Sequence, residues 1–419
     1  MKVFKFGGAS LKDAESIKNL STVLNQFRSE SILVVLSAMG KTTNALEEVA
    51  KAYYLNQEDV FKKLDIVKNF HEAILLELFS KNHFIFDEIS NLFVEIEWTL
   101  EEMPRPEYPY IYDQIVSIGE LLSTRIVSAY LNQVSLRNLW LDARDIIKTD
   151  NKYQAANIDW SETKKCVKTH IGQDLLYVTQ GFIGCTSENF TTTLGREGSD
   201  YSAAIFSTLL NAKSLIIWKD VPGILNADPR YFKNTVKIDN LSFQEAIELA
   251  FYGASVIHPK TLQPLKIRNI PLEVRSFINY QERGTLISTK ENSNNEISFY
   301  ILKKNQILLS ISVEELDFIV ENHLSLAFLI LDKFNANVSL VQNSAVSCSF
   351  AISIDDLLFE SLINSLSEKF TVKYNKGLEL LTIRYYDEID VKRNTDGKEI
   401  FLIQKNRTTV QILYKKQQL

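Results

Sequence analysis

The chain lacks most features that mark secreted, membrane-spanning or nucleic-acid-binding proteins. Its 419 residues include three cysteines, and this odd, scattered set disfavours both a disulfide framework and a zinc site. Apolar runs such as residues 32–36 are far too short to cross a bilayer, and the N-terminus has no secretory pattern. The net charge is −6 without a long basic block, which argues against nucleic acid and acidic membranes as partners. These absences predict a cytoplasmic protein that handles small metabolites.

Several common catalytic motifs are also missing. The sequence contains no G-x-x-x-x-G-K-[ST], no C-x-x-C and no G-x-S-x-G, which disfavours a P-loop enzyme and a Ser–His hydrolase. The five histidines are dispersed without metal-binding spacing, so no protein-held transition metal is predicted. For His258, a structural role is favoured over a ligand role.

Short strand-like runs alternate with helical patterns over the first 290 residues. The runs cover residues 2–6, 31–36, 139–141, 175–179 and 215–218, and helical patterns cover residues 45–100 and 115–131. This alternation predicts an α/β fold with an open, mostly parallel sheet sandwiched by helices. Because such sheets bind ligands beyond the carboxyl ends of their strands, the loops after residues 6, 36, 179 and 218 are the expected site.

A polar segment at residues 290–296 predicts a linker between two regions, residues 1–290 and residues 297–419. The second region opens with a strand, a helix and two strands, which indicates a small α+β unit. Another such unit should follow, but residues 376–419 offer strands and little helix, so this unit is predicted to be abbreviated.

Residues 191–201, TTTLGREGSDY, are the most informative stretch of the chain. They place glycines, an arginine and an aspartate directly before a helical segment, whose free N–H groups attract anions. Gly195 and Gly198 allow close approach of the main chain to a ligand, and Arg196 can grip a carboxylate with two hydrogen bonds. This combination suits a small, doubly anionic molecule.

Each remaining candidate has an ordinary alternative role when it is considered alone. Lys5 is either a solvated residue at a turn or a cation that faces phosphate. Glu120 could simply be a surface or helix-start carboxylate. Thr43, at a predicted helix start, could simply be the N-cap of that helix. Arg196 and Asp200 could form a local ion pair.

Together, however, seven segments closely resemble aspartate kinase over residues 1–290. They are Lys5-Phe6-Gly7-Gly8, residues 37–44 (SAMGKTTN), residues 119–123 (GELLS), residues 179–184 (TQGFIG), residues 191–201, residues 218–224 (WKDVPGI) and residues 253–259 (GASVIHP). Residues 297–419 resemble, more loosely, the paired ACT regulatory domains of the same family.

The resemblance implies the amino acid kinase fold and transfer of the ATP γ-phosphoryl group to the β-carboxylate of L-aspartate. This would be the first step of lysine, threonine and methionine biosynthesis, with Mg²⁺ bound with the nucleotide and a homodimer formed through the ACT-like region. The site roles that it implies are catalysis by Lys5 and Asp200, aspartate binding by Thr43, Glu120, Arg196 and Ser199, and nucleotide binding by Lys5, Gly7, Gly8, Lys219, Asp220, Arg230, Ser255 and Val256.

The sequence departs from the family pattern at several positions. Glu197 stands where the family commonly has glycine, so a left-handed backbone there would cost roughly 1–2 kcal/mol. Ser255 replaces a frequent lysine, which weakens one expected nucleotide contact. Two acidic effector-site residues of lysine-inhibited relatives are replaced by Ser339 and Ala345, so weak or absent lysine inhibition is expected.

Two alternatives remain open at this stage. One is another kinase of the same fold, such as glutamate 5-kinase, and the other is a catalytically inactive amino-acid sensor. The joint retention of Lys5, Thr43, Glu120, Arg196 and Asp200 disfavours the sensor, since a sensor has no need of a lysine that faces phosphate.

Overall fold

The structure is a computed structural model that describes residues 1–172, 175–254, 257–290, 297–313 and 318–415. The chain divides into two compact units. The first comprises Met1–Ile224, Lys237–Ala250 and Ser255–Asn292, and the second comprises Leu225–Val236, Phe251–Ala254 and Ser293–Leu419.

The strands up to residue 288 are short. They are β1 (Lys2–Phe6), β2 (Ile32–Leu36), β3 (Asn138–Leu141), β4 (Leu176–Gln180), β5 (Ile183–Cys185), β6 (Thr191–Thr193), β7 (Leu215–Lys219), β8 (Ile224–Leu225), β9 (Lys237–Ile238), β10 (Asn240–Ser242), β11 (Leu272–Ser276) and β12 (Thr285–Ser288). Of these, β1, β2, β3, β4 and β7 lie at the five predicted positions.

The helices over the same part of the chain begin after a single 3₁₀ turn at Gly8–Leu11. They are α1 (Ala14–Asn25), α2 (Thr42–Tyr54), α3 (Val60–Leu78), α4 (Ile85–Glu101), α5 (Tyr108–Val116), α6 (Ile118–Gln133), α7 (Ala143–Ile146), α8 (Trp160–His170), α9 (Gly198–Leu209), α10 (Phe243–Tyr252) and α11 (Pro259–Ile267). The predicted helical segment 45–100 is therefore three helices, and the segment 115–131 is interrupted at Ser117.

Eight strands form one sheet in the order β10-β12-β11-β7-β1-β2-β4-β3. The six strands from β11 to β3 are parallel, while β12 is antiparallel to β11 and parallel to β10. All five residues of β2 are buried, as expected for a central strand covered on both faces. The predicted mostly parallel α/β sheet is confirmed.

Aromatic side chains fix the registry of β1 against β7. Phe6 and Trp218 are direct partners in the ladder, and their rings stack at 5.8 Å with an interplanar angle of 5°. Phe4 meets the edge of Trp218 at 5.8 Å. Such pairs contribute about 0.5–1.5 kcal/mol each beyond the burial of their area, so they hold the ends of the two strands at a defined position.

The second unit is built on a six-stranded antiparallel sheet in the order β14-β15-β13-β16-β18-β17. Its elements are β13 (Phe299–Ser312), α12 (Glu321–Lys333), β14 (Asn337–Asn343), β15 (Ser347–Ser353), α13 (Asp356–Ser367), β16 (Thr371–Arg384), α14 (Glu388–Thr395), β17 (Glu399–Lys405) and β18 (Thr409–Lys415). In the part of the chain that the structure describes, no helix combines the length and apolar character needed to span a membrane.

The strand, helix, strand, strand order occurs twice in this unit. The first copy is β13, α12, β14 and β15, and the second is β16, α14, β17 and β18. In the second copy, where residues 376–419 predict little helix, the structure has one helix of eight residues. Asp387 caps it by accepting a hydrogen bond of 2.6 Å from the N–H of Asp390, which explains how so polar a segment starts a helix.

Candidate functional site

Four strands that lie side by side in the large sheet end at one cavity of about 650 Å³. Lys219 ends β7 and Lys5 belongs to β1, while Ser37 follows β2 and Phe182 comes two residues after β4. All four line the cavity. The loops after residues 6, 36, 179 and 218 therefore converge as predicted, because parallel strands deliver their carboxyl ends to the same edge.

A buried ion pair joins β1 to the start of α9. The ammonium of Lys5 lies 2.7 Å from Oδ1 of Asp200, and both side chains are almost completely buried. Burial alone would raise the pKa of Asp200, but the charges of Lys5 and Lys219, with the hydrogen bond from Lys5, hold it below its usual value. The carboxylate is therefore ionised at neutral pH. The alternative in which Arg196 pairs with Asp200 is not what the structure shows.

Glu120 is a second buried carboxyl, in the first turn of α6. Its exposed fraction is 2%, so the alternative in which Glu120 is a surface carboxylate is wrong. Burial raises its pKa to about 8, although the charge of Lys5 and a hydrogen bond from the Ala38 N–H act in the opposite direction. Its Oε2 has no hydrogen-bond partner in the described part of the chain. A buried, unsatisfied carboxyl at a cavity wall is suited to a cationic group of a ligand.

The remaining aspartate-binding candidates also line the cavity. Thr43 lies inside α2, whose N-cap residue is Lys41, so it is not the cap that one alternative assigned to it. Arg196 and Ser199 flank the start of α9 and reach the cavity from the glycine loop. Lys5 and Arg196 therefore open onto a single cavity, which places cationic groups from distant parts of the chain together.

The backbone around the glycine loop is strained at one residue. Glu197 has φ of 56° and ψ of 26°, the left-handed conformation whose cost the sequence analysis anticipated. Its carboxylate accepts a hydrogen bond of 3.0 Å from the N–H of His258, which precedes α11. The Nδ1 of His258 in turn accepts from the N–H of Lys260 at 3.2 Å, so His258 is the N-cap of α11. Its predicted structural role is confirmed.

Glycines bring the first two loops of the site into backbone contact. A Cβ on Gly8 would lie 2.7 Å from the carbonyl oxygen of Gly40 and 2.9 Å from that of Ala38. A Cβ on Gly7 would lie 3.3 Å from the ammonium of Lys5. No side chain fits at position 8 without moving the loop that follows β2.

Not every predicted nucleotide-binding residue lines this cavity. Gly7, Gly8 and Asp220 are not among its lining residues, and Asp220 is exposed. Arg230 belongs to the second unit, where it is exposed and pairs with Asp228 at 2.6 Å. Ser255 and Val256 lie outside the described residues.

Several cavity residues were missed by the sequence reasoning. Ser37 and Phe182 stand within quoted motifs and could have been found there, since Ser37 directly follows β2 and Phe182 comes two residues after β4. Glu47, Tyr112 and Gln154 also line the cavity. They lie on helices or in a polar loop without any distinguishing spacing, so nothing in the sequence singled them out.

Comparison with known proteins agrees with this architecture. Residues 1–276 match the model of the amino acid kinase family. Lysine-sensitive aspartokinase 3 of Escherichia coli K12 is 35% identical over 410 residues, which cover 95% of this chain and 90% of the relative. This chain belongs to the aspartokinases. Chloroplastic aspartokinase 1 of Arabidopsis thaliana is 33% identical over 377 residues, which cover 86% of this chain and 65% of that protein.

Solved aspartokinase structures share the fold over almost the whole chain. Escherichia coli aspartokinase III in complex with aspartate and ADP, in the R-state, matches with a TM-score of 0.84 at 30% identity, covering 99% of this chain and 96% of that one. The same enzyme in complex with lysine and aspartate, in the T-state, matches with a TM-score of 0.82 at 32% identity, covering 99% and 95%. The amino acid kinase fold and the aspartate kinase family, expected from the motifs, are confirmed.

Proposed function

We propose that this aspartokinase transfers the γ-phosphoryl group of ATP to the β-carboxylate of L-aspartate, giving 4-phospho-L-aspartate and ADP. The observation that carries the proposal is the single cavity in which Lys5, Asp200, Glu120 and Arg196 meet. The aspartate and ADP complex of the Escherichia coli relative supports the same pair of ligands.

The reaction requires neutralisation of the negative charges on the two substrates and does not require a general base. The attacking β-carboxylate has a pKa near ~4 and is ionised at neutral pH. One of its oxygens forms a bond to the γ-phosphorus while the bond from that phosphorus to the β–γ bridging oxygen breaks, and ADP leaves. Two anions must therefore approach each other, and the ammonium of Lys5, fixed by Asp200, offsets their repulsion.

The α-carboxylate and the α-ammonium of aspartate are each bound by a side chain of opposite charge. The planar guanidinium of Arg196 binds the α-carboxylate with two hydrogen bonds, and Glu120 receives the α-ammonium at its unsatisfied oxygen. Thr43 and Ser199 supply hydroxyls at the same cavity. With both α-groups held, the β-carboxylate would be free to face Lys5, which lines the same cavity.

The nucleotide is bound on the side of the cavity next to β1 and β7. Gly7 and Gly8 let the main chain approach the phosphates, and Lys219 adds positive charge at the same edge. Asp220, Arg230, Ser255 and Val256 remain predictions from the resemblance. Of these, Arg230 would first have to exchange its partner Asp228 for the nucleotide.

The residues present suit Mg²⁺ that arrives with the nucleotide. Magnesium is usually held by one or two carboxylates together with substrate phosphates and water, and not by an all-protein cage. Asp200 is one ionised carboxylate at the cavity, and the described residues contain no cluster of three or more metal-binding side chains. When bound, Mg²⁺ would neutralise phosphate charge, and Asp200 is the residue that would hold it.

We further propose that the protein acts in the cytoplasm as a homodimer joined through residues 297–419. The repeated strand, helix, strand, strand units of this region present β14 and β17 as sheet edges. An edge strand carries unpaired N–H and C=O groups that a second copy can satisfy. Sedimentation of the full chain would measure the assembly state.

Trapping of the acyl phosphate with hydroxylamine tests the activity directly. The purified chain, ATP and Mg²⁺ should produce hydroxamate with L-aspartate and not without an amino acid. Hydroxamate formed with L-glutamate in preference to L-aspartate would instead assign a glutamate kinase. Binding of aspartate without any ATP turnover would instead assign a catalytically inactive sensor.

A further inference from the structure

A buried carboxylate next to the cavity has no role in the mechanism above. Asp113, on α5, has an exposed fraction of 0%. Its two carboxylate oxygens accept hydrogen bonds from a residue of one loop and a residue of one strand, and neither segment is adjacent to α5 in sequence. A fully buried carboxylate is costly to keep unless it is well paired, so its partners indicate what it is for.

The first partner is the loop that carries Gln154. The N–H of Gln154 points between the two oxygens of Asp113, at 3.2 Å and 3.1 Å. Gln154 has φ of 65°, a left-handed conformation that is unfavourable for a residue with a side chain. Its side chain lines the cavity. Asp113 therefore holds a strained residue in the position from which it faces the ligand.

The second partner is the strand that leads into the glycine loop. Thr193 donates its N–H to Oδ2 of Asp113 at 2.9 Å and its hydroxyl to Oδ1 at 2.6 Å. Thr193 ends β6, and Arg196 follows three residues later. The position of the guanidinium therefore depends on where Asp113 fixes this strand.

The two loops also contact each other directly. The N–H of Ala156 donates to the carbonyl oxygen of Thr193 at 3.0 Å. A Cβ on Gly195 would lie 3.1 Å from the carbonyl oxygen of Gln154, so the turn before Arg196 rests on the Gln154 loop. Movement of either loop would displace the other.

The ionised form of Asp113 is the one that can accept all of these hydrogen bonds. Burial raises its pKa to about 6, while the hydrogen bonds from Thr193 and Gln154 lower it. The group is therefore mostly ionised at pH 7.5 and offers both oxygens as acceptors.

We infer that Asp113 is a positioning residue for aspartate recognition, because it locks the Gln154 loop and the strand before Arg196 into one unit. This inference rests on the proposed function, since it assumes that Arg196 binds the aspartate substrate. Asp113 itself does not line the cavity and acts only through the residues that it holds. Its loss should weaken aspartate binding and leave the nucleotide side largely unchanged.

The test uses the full chain with the variants D113N and T193V. In D113N an amide NH₂ replaces one acceptor oxygen and faces an N–H donor, so about a tenfold or greater rise in KM for aspartate is expected. The values of kcat and of KM for ATP should stay within about twofold. T193V removes only the hydroxyl bond, so a rise of about threefold in KM for aspartate is expected.

Two matched controls separate positioning from general damage. D159N alters a carboxylate outside the Gln154 loop that also accepts a backbone N–H, that of Glu162 at the start of α8. T192V removes a buried hydroxyl bond, to Thr149, from the same strand. Neither bonds to Asp113, so neither should change KM for aspartate by more than about twofold.

Calorimetric titration of aspartate into each variant, without nucleotide, gives a reading that does not depend on turnover. A fall in aspartate affinity in D113N and T193V but not in the controls supports the inference. Unchanged affinity, or equal losses for aspartate and ATP, would overturn it. If D113N does not fold, T193V and its control T192V decide the question. Failure of the wild type to form hydroxamate would refute the proposed function instead, which keeps the two failures apart.

Discussion

Replacing Glu120 by glutamine should stabilise the protein while impairing its recognition of aspartate. The carboxyl is fully enclosed, and burial raises its pKa from 4.5 to about 8. Between these two values the folded protein keeps a proton that the unfolded chain releases. The group therefore reduces stability progressively as the pH rises from about 4.5 to about 8, and it has no such effect below that window.

The size of the effect follows from the pKa shift. At pH 7 the folded protein lies 2.5 pH units above the unfolded pKa of 4.5, which corresponds to about 3 kcal/mol at ~1.36 kcal/mol per unit. Glutamine has the same shape, cannot ionise and can still accept from the N–H of Ala38. The E120Q variant should therefore unfold about 3–5 °C above the wild type at pH 7, given the size of the chain.

Thermal unfolding at a series of pH values measures this difference. The gain should be absent near pH 4.5 and should grow towards pH 8. Glu77 is exposed on α3, so E77Q changes the same functional group without relieving burial and should leave Tm unchanged. An E120Q variant with the wild-type Tm, or with a gain independent of pH, would refute the account of Glu120 as a desolvated carboxyl.

Binding of aspartate should recover the energy that Glu120 costs. The ligand ammonium favours the ionised carboxylate, so at pH 7 the wild type should release close to one proton when aspartate binds. Calorimetry in buffers of different ionisation enthalpy detects this proton. The E120Q variant should release none and should bind aspartate at least about tenfold more weakly.

Three further predictions concern the roles of Lys5 and Arg196, the strained backbone at Glu197, and inhibition by L-lysine. K5A should mainly lower kcat and R196A should mainly raise KM for aspartate, and small equal effects on both parameters would contradict this division. E197A keeps the left-handed strain but loses the bond to the His258 N–H, so it should lower stability by about 1 kcal/mol, whereas E197G should be near neutral. L-Lysine should inhibit weakly or not at all, and strong inhibition at sub-millimolar lysine would overturn that expectation.

The lysine prediction gains support from the second unit. Ser339 stands where the family resemblance leads us to expect an aspartate in lysine-inhibited relatives, and its hydroxyl accepts a hydrogen bond of 3.2 Å from the ammonium of Lys303. Burial lowers the pKa of Lys303, and within the described residues no carboxylate forms an ion pair with it. A second ammonium would meet repulsion there instead of an acidic partner.

Much of the fold and of the site could be predicted from local sequence patterns. Short apolar runs that end in glycine or polar residues marked β1, β2, β4 and β7, and the parallel arrangement then required their loops to meet. The helical segment after residue 45 was harder to divide, since the turns between α2, α3 and α4 contain no strong breaker. The helix α14 could not be recognised because it has only eight residues, most of them polar, and a single cap starts it.

The burial and the hydrogen-bond partners of individual side chains were harder to predict from the sequence than the element to which each residue belongs. Glu120 is an ordinary helix-start carboxylate in the sequence, and only packing by neighbouring elements shows that it is buried. No local pattern marks Asp113 as important, because its partners Gln154 and Thr193 are 41 and 80 residues away. Contacts of this kind depend on the tertiary structure, so no local pattern reports them.

At Gly8 the loop that follows β1 lies in close contact with the loop that follows β2. A methyl group at this position would strike the carbonyl oxygens of Ala38 and Gly40 and push the second loop outward. In this second loop, the backbone N–H of Ala38 donates a hydrogen bond to the carboxyl of Glu120. A substitution at Gly8, which we propose to face the phosphates of the nucleotide, would therefore also disturb the surroundings of Glu120 in the proposed aspartate site.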